Sequence, residues 1–171
     1  MASRMETRLS YPFPATRVRS ALVDPNYLRA KLASVHGDNS EVTEHSVAPD
    51  GGVQYTLALP IPLDKLPSIA KTLVPAGERL RRTEVWSSSQ DAPTMTSSVV
   101  VPNAPARIEA TARLEAEGAG SVIVTDLTVS ISVPLVGGKI EKALIKQLTE
   151  VLEKEHRFDL EWLESDAAGG R

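Results

Sequence analysis

The sequence predicts an α+β fold: a curved antiparallel sheet of about seven strands, closed over by one long C-terminal helix. Three observations predict it. Between Asn39 and Pro134 the chain breaks into short runs of alternating apolar and polar residues separated by turn signals, the texture of an antiparallel meander. Strand and helix do not alternate there, so a parallel Rossmann-type sheet is not expected. After Gly137-Gly138 a helical period runs unbroken from about Lys139 to Glu164, a length of roughly 39 Å at ~1.5 Å per residue.

Arg4 to Tyr11 reads as the first strand, stopped by Pro12 and Pro14. Ala15 to Leu22 reads as a short helix with Val18, Ala21 and Leu22 on one side. Asp24-Pro25 restarts the pattern, Asp24 as N-cap and Pro25 at the first helical position, and Tyr27, Leu28, Leu32 and Val35 follow at helical spacing until Gly37. Glu41 to Val47 and Val53 to Leu59 form a hairpin across Pro49-Asp50-Gly51-Gly52. Pro60, Pro62 and Pro67 then interrupt the sheet, with room for one or two helical turns at Ile69, Ala70 and Leu73. Four more strands follow: Arg79 to Ser88, Thr94 to Val101, Arg107 to Glu117 and Ser121 to Val133. Gly118 and Gly120 make the last hairpin turn. On a helical wheel, Ile140, Leu144, Leu148, Val151, Leu152, Phe158 and Trp162 share one stripe, which must be buried against the sheet or a partner.

Bulk composition narrows the function. The 171 residues suit a single domain, expected over 1–165 with a flexible tail over 166–171. Net charge is −3 and only 4% of residues are aromatic, which argues against nucleic-acid binding through a basic surface or a stacking platform. There is no cysteine, hence no disulfide, iron–sulfur cluster or thiol nucleophile. No stretch reaches the ~18 apolar residues of a membrane helix, and Met1 to Thr16 lacks the apolar core of a signal peptide. A cytoplasmic protein with no integral membrane segment is expected; the oligomeric state is open.

The order strand, two short helices, six strands, long helix resembles the START-like helix-grip (SRPBCC) superfamily of birch-pollen-allergen, polyketide-cyclase and lipid-transfer proteins. Within it the chain resembles an actinobacterial family of unknown function. The resemblance rests on Tyr11-Pro12-Phe13-Pro14-Ala15, Asp24-Pro25-Asn26-Tyr27, Ser132 to Lys142, Glu155-His156-Arg157-Phe158 and Glu161-Trp162-Leu163. It implies a cavity between the sheet and the last helix, with the Pro60–Pro67 insertion placed to cover one mouth. The superfamily holds carriers, cyclases, hydrolase-like enzymes and hormone receptors, so the fold does not settle the function.

Glu155 falls near the centre of the apolar stripe, where an unpaired carboxylate is costly. Either it enters the cavity, with a raised pKa or an arginine partner, or the helix overhangs the sheet and Glu155 meets water or a structural ion pair. Arg82, Glu84 and Trp86 share one strand face; Arg79, Arg81, Thr83 and Val85 share the other. If the Trp86 face is inward, a charged pair enters the cavity beside an indole; the alternative is a solvated face with cross-strand ion pairs. The expected ligand-binding set is Tyr55, Leu57, Arg82, Trp86, Leu144, Leu148, Val151, Glu155 and Phe158. His36, His45 and His156 lack zinc spacing, no G-x-S-x-G elbow is present, and no catalytic residue, metal or cofactor is assigned. Gly137-Gly138-Lys139 lacks the rest of a phosphate loop; its glycines are expected to turn the chain from strand into helix. The Val99-Val100-Val101 run is a candidate edge or interface strand. Three functions follow: a carrier of a hydrophobic small molecule or lipid, a cyclase- or dehydratase-like enzyme with acid/base groups in the same cavity, or an interaction module with a filled core.

Overall fold

The computed structural model describes residues 2–168. Its elements are β1 (Ala2–Tyr11), α1 (Ala15–Leu22), α2 (Pro25–Lys31), β2 (Glu41–Val47), β3 (Val53–Pro60), β4 (Arg79–Trp86), β5 (Thr94–Val100), β6 (Ala106–Glu117), β7 (Gly120–Ile131) and α3 (Gly137–Ala168). All seven strands form one antiparallel sheet in the order β1-β7-β6-β5-β4-β3-β2. The meander places sequence neighbours side by side, and β1 closes onto β7. Strand β5 therefore lies inside the sheet, paired on both sides, so the Val99–Val101 run is no edge. The edges are β1 and β2.

Local chemistry sets the element ends. Asp24 Oδ1 accepts from the backbone of Asn26 at 2.7 Å and of Tyr27 at 3.3 Å, capping α2 as its sequence predicts. Beyond Lys31 the helix widens into a π turn, Leu32–His36, closed by Gly37 N donating to Leu32 O at 2.9 Å. Gly37, at φ 84°, ends it. The insertion after β3 forms two 3-10 turns, Leu63–Lys65 and Ser68–Thr72.

The region before α3 differs from expectation. Strand β7 stops at Ile131, two residues short of Val133, and α3 begins at Gly137 rather than Lys139. Both glycines lie inside the helix, and neither has a positive φ. Leu135, at φ 71°, turns the chain instead. Glu141, 1% exposed, secures the start of α3: its carboxylate accepts from Ser3 Oγ at 2.8 Å and from Ile131 N at 2.9 Å. At the other end α3 passes Glu164 and continues through Ala168; positions 169–171 of the expected tail lie outside the described residues.

The pleat sends alternate residues to the helix side. Leu57, Arg82, Val99, Ile108 and Val129 stand in one row across five strands, with Arg82 the only charge in it. Two apolar clusters flank α3. The larger joins α1, α2 and the C-terminal half of α3 through Val18, Tyr27, Leu28, Leu57, Leu114 and Leu163. The smaller gathers Ala110, Leu127, Val129, Ile131 and Ile140 under Ala70 of the insertion.

Candidate functional site

Between those clusters lies a layer of buried charge. Glu155 is 6% exposed and meets two partners: Arg82 Nη1 at 3.1 Å and His36 Nε2 at 2.7 Å. Burial opposes its ionisation, yet Arg82, Lys31 and His36 hold its carboxyl well below the usual carboxylate range. Arg82 Nε lies 3.7 Å from Glu84 Oε2 and has no hydrogen-bond partner. Burial works against the arginine's charge, but Glu155 and Glu84 keep its pKa above the ordinary value. Tyr55 donates its hydroxyl to Glu84 Oε1 at 2.5 Å and accepts from Trp86 Nε1 at 3.3 Å. Burial, then Glu84, pushes the Tyr55 hydroxyl pKa well up, so it stays protonated.

One helical turn beyond Glu155, Asp159 accepts hydrogen bonds from Tyr11 and from Tyr27. Burial raises the pKa of Asp159 despite Lys31 nearby and the two tyrosine donors. Both tyrosine hydroxyls are pushed well up, by burial first and then by Asp159. Lys31 Nζ rests 4.9 Å from the centre of the Tyr27 ring. The layer runs from β1 through α3 and the π turn to β4 and β3, with nearly every polar group partnered.

A cavity of about 370 Å³ opens beside this layer, between α3 and the middle of the sheet. Its walls are aliphatic: Leu59, Leu80, Val99 and Ile108 from the strands, and Leu144, Leu148 and Val151 from α3. Arg82 and His36 present the polar layer to it. Val35 of the π turn, Pro60 at the end of β3, Ile61, Pro62, Asp64 and Lys65 of the insertion, and Gln147 and Lys154 of α3 complete its lining. No Phe, Tyr or Trp side chain contributes.

Of the residues expected to bind ligand, Arg82, Leu144, Leu148 and Val151 line this cavity. Glu155 lies behind Arg82 as its partner. Tyr55, Leu57 and Trp86 are buried in the large core, and Phe158 packs against Tyr27 and Trp162 there. The Arg82–Glu84–Trp86 face is the inward one; Glu84 joins the buried layer instead of a solvated face. Arg79, on the outer face, pairs with Glu41 at 2.8 Å. The sequence reading missed Lys31 and Asp159, although Asp159 stands four residues from Glu155 on the same stripe. It gives His36 no partner, because nothing local announces one 119 residues away. His45 Nε2 meets Val23 O, and His156 Nε2 meets Ser10 O, each at 2.8 Å. Among the described residues no group of His, Cys, Asp or Glu side chains is arranged to hold a metal.

Residues 6–163 match the family described as "Protein of unknown function (DUF2505)". The chain belongs to that family. Uncharacterized proteins of Mycobacterium tuberculosis and Mycobacterium bovis are each 25% identical to this DUF2505 chain over 171 residues, covering 95% of it and 98% of the relative. Among solved structures, protein TTHA0849 of Thermus thermophilus superposes with a TM-score of 0.58 at 21% identity, covering 96% of this chain and 98% of that one. Ara h 8.0201 superposes with a TM-score of 0.52 at 13% identity, covering 94% and 99%. The fold is the helix-grip fold, as the sequence predicts.

Proposed function

We propose that this DUF2505 protein is a START-like binder or carrier of an aliphatic small molecule or lipid, held between α3 and the sheet. The observation that carries this reading is the cavity of about 370 Å³ with mainly aliphatic walls, Arg82 and His36 from the buried polar layer, and Asp64, Lys65, Gln147 and Lys154 also in its lining, within the size range of small-molecule sites. The walls suit a flexible chain or isoprenoid better than a flat aromatic ring, since no Phe, Tyr or Trp lines them. Arg82, the cation in the cavity wall, suits an oxygen on the ligand.

The same geometry supports carriage over catalysis. A cyclase or dehydratase needs a group facing the cavity that gives or takes a proton near neutral pH. Glu155 is held ionised by Arg82, Lys31 and His36; Asp159 is enclosed by Tyr11 and Tyr27 and does not line the cavity; and His36, the imidazole that does line it, has its Nε2 engaged by Glu155 at 2.7 Å. Native mass spectrometry of the purified protein, followed by organic extraction, tests the reading. A stoichiometric apolar molecule that is absent from Leu148→Trp is the expected result. A clean apo mass, with no uptake of added fatty acids, alcohols or isoprenoids, would overturn it.

A further inference from the structure

We propose that the end of the molecule formed by Leu135, the insertion and the first half of α3 docks on an anionic lipid bilayer. Leu135 is the most exposed large apolar residue, at 105%, and it holds φ 71°. Glycine or asparagine fills that conformation at lower cost. Its exposure is not for want of a core: Val133 and Val136 on either side turn inward to the cluster that contains Ala70, while Ile69, beside Ala70, is 41% exposed. Two apolar tips thus project from one small core.

The segments that carry those tips are rich in lysine. Five of the chain's seven lysines lie here: Lys65, Lys71, Lys139, Lys142 and Lys146. All five are exposed, and none forms an ion pair among the described residues. Within 61–73 and 133–149 the only acidic residues are Asp64 and the buried, hydrogen-bonded Glu141; Glu150 bounds the patch, in the groove it lines with Lys65 and Lys146. The first turn of α3 contains no acidic residue; Lys139 stands in it and Lys142 just beyond it, where the helix dipole disfavours cations. The dipole of α3 therefore does not account for Lys139 and Lys142 at these positions. The basic character is local, because the chain as a whole is at −3, and from Glu150 onward α3 carries mostly acidic charge.

An exposed leucine on segments rich in unpaired lysine is the chemistry of attachment to the interface of an anionic membrane. No helix among the described residues is long and apolar enough to cross a membrane, so the contact is peripheral. Lys65 lines both the cavity and the neighbouring groove that holds Lys146, so a docked molecule presents its cavity near the lipid. That last point rests on the proposed binding function; docking itself does not.

The test is co-sedimentation of the full chain with phosphatidylcholine vesicles, with and without phosphatidylglycerol. Binding is expected only with phosphatidylglycerol and is expected to fade with added salt. Lys139→Gln with Lys142→Gln is expected to lower partitioning about 25-fold, at roughly fivefold per lysine. Leu135→Gly is expected to weaken binding several-fold while raising the melting temperature, which separates a docking role from a structural one. Absence of binding, equal binding to both vesicles, or variants that bind like the parent would overturn the proposal. So would poly-glutamate competing as effectively as vesicles, which would point to an acidic protein partner.

Discussion

Arg82 Nη1 on β4 donates to the Glu155 carboxylate on α3 at 3.1 Å, tying the middle of the sheet to the middle of the helix. Every other position in the Arg82 row is apolar, so the two charges are compensated almost wholly by each other and by Lys31, His36 and Glu84. Removing one member leaves the rest unpaired in a low-dielectric setting, whereas removing both does not.

Glu155→Gln is therefore expected to destabilise the fold by about 3–5 kcal/mol, read from urea unfolding. The double variant Arg82→Met with Glu155→Leu is expected to recover most of that loss. A double variant as unstable as the sum of its singles would contradict the coupling.

The two buried carboxylates of α3 give opposite pH dependences. The folded Glu155 pKa lies below its usual 4.5, so its contribution to stability is full above that pH and is lost as pH falls through the folded value. The Asp159 pKa lies above its usual 3.8, so its contribution is full below that pH and declines as pH rises through the folded value. Asp159→Asn is thus expected to flatten the decline on the neutral side while leaving the acid limb in place. Stability curves that run parallel across pH for the parent and this variant would refute the assignment.

Leu148→Trp and Val151→Trp each point an indole into the cavity. The void of about 370 Å³ accommodates the added volume without the strain that overpacking a filled core brings. Both variants are expected to keep the circular dichroism spectrum and a melting temperature close to the parent's, while losing uptake of a fluorescent fatty acid. A large loss of stability would mean that the cavity is filled in solution.

The adjacent glycines of α3 are expected to respond in opposite directions. A Cβ on Gly137 would stand 2.6 Å from the carbonyl oxygen of Ile131, a backbone atom that cannot move aside cheaply. At Gly138 nothing lies within 4 Å, and alanine gains up to ~1 kcal/mol of helix propensity. Thermal melts of Gly137→Ala and Gly138→Ala should move down and up respectively; equal shifts would show that close approach is not what Gly137 supplies.

Period and punctuation are local properties, and they made the fold legible. Two-residue alternation, the Asp24-Pro25 cap and the Pro49–Gly52 turn predicted α1 and β2 to the residue, with β3 and α2 close behind, because each depends on neighbours a few positions away. The helical stripe likewise set Glu155 against the sheet side of α3. Where local signals were mixed, the reading slipped: two glycines before Lys139 suggested a turn that Leu135 makes instead.

By itself, then, the sequence determined an antiparallel meander, a long amphipathic helix and a carboxylate in the middle of its apolar face. Only the tertiary structure decided that β5 is interior, that Glu84 faces inward, and that Glu155 meets both Arg82 and His36. It alone separated Arg82, Leu144, Leu148 and Val151 at the cavity from Tyr55, Leu57, Trp86 and Phe158 in the packed core. The physical reason is that burial and charge pairing are sums over residues far apart in the chain. His36 and Glu155 stand 119 positions apart, and Arg82 and Glu155 stand 73 apart. No periodicity in either segment encodes which distant side chain will neutralise it.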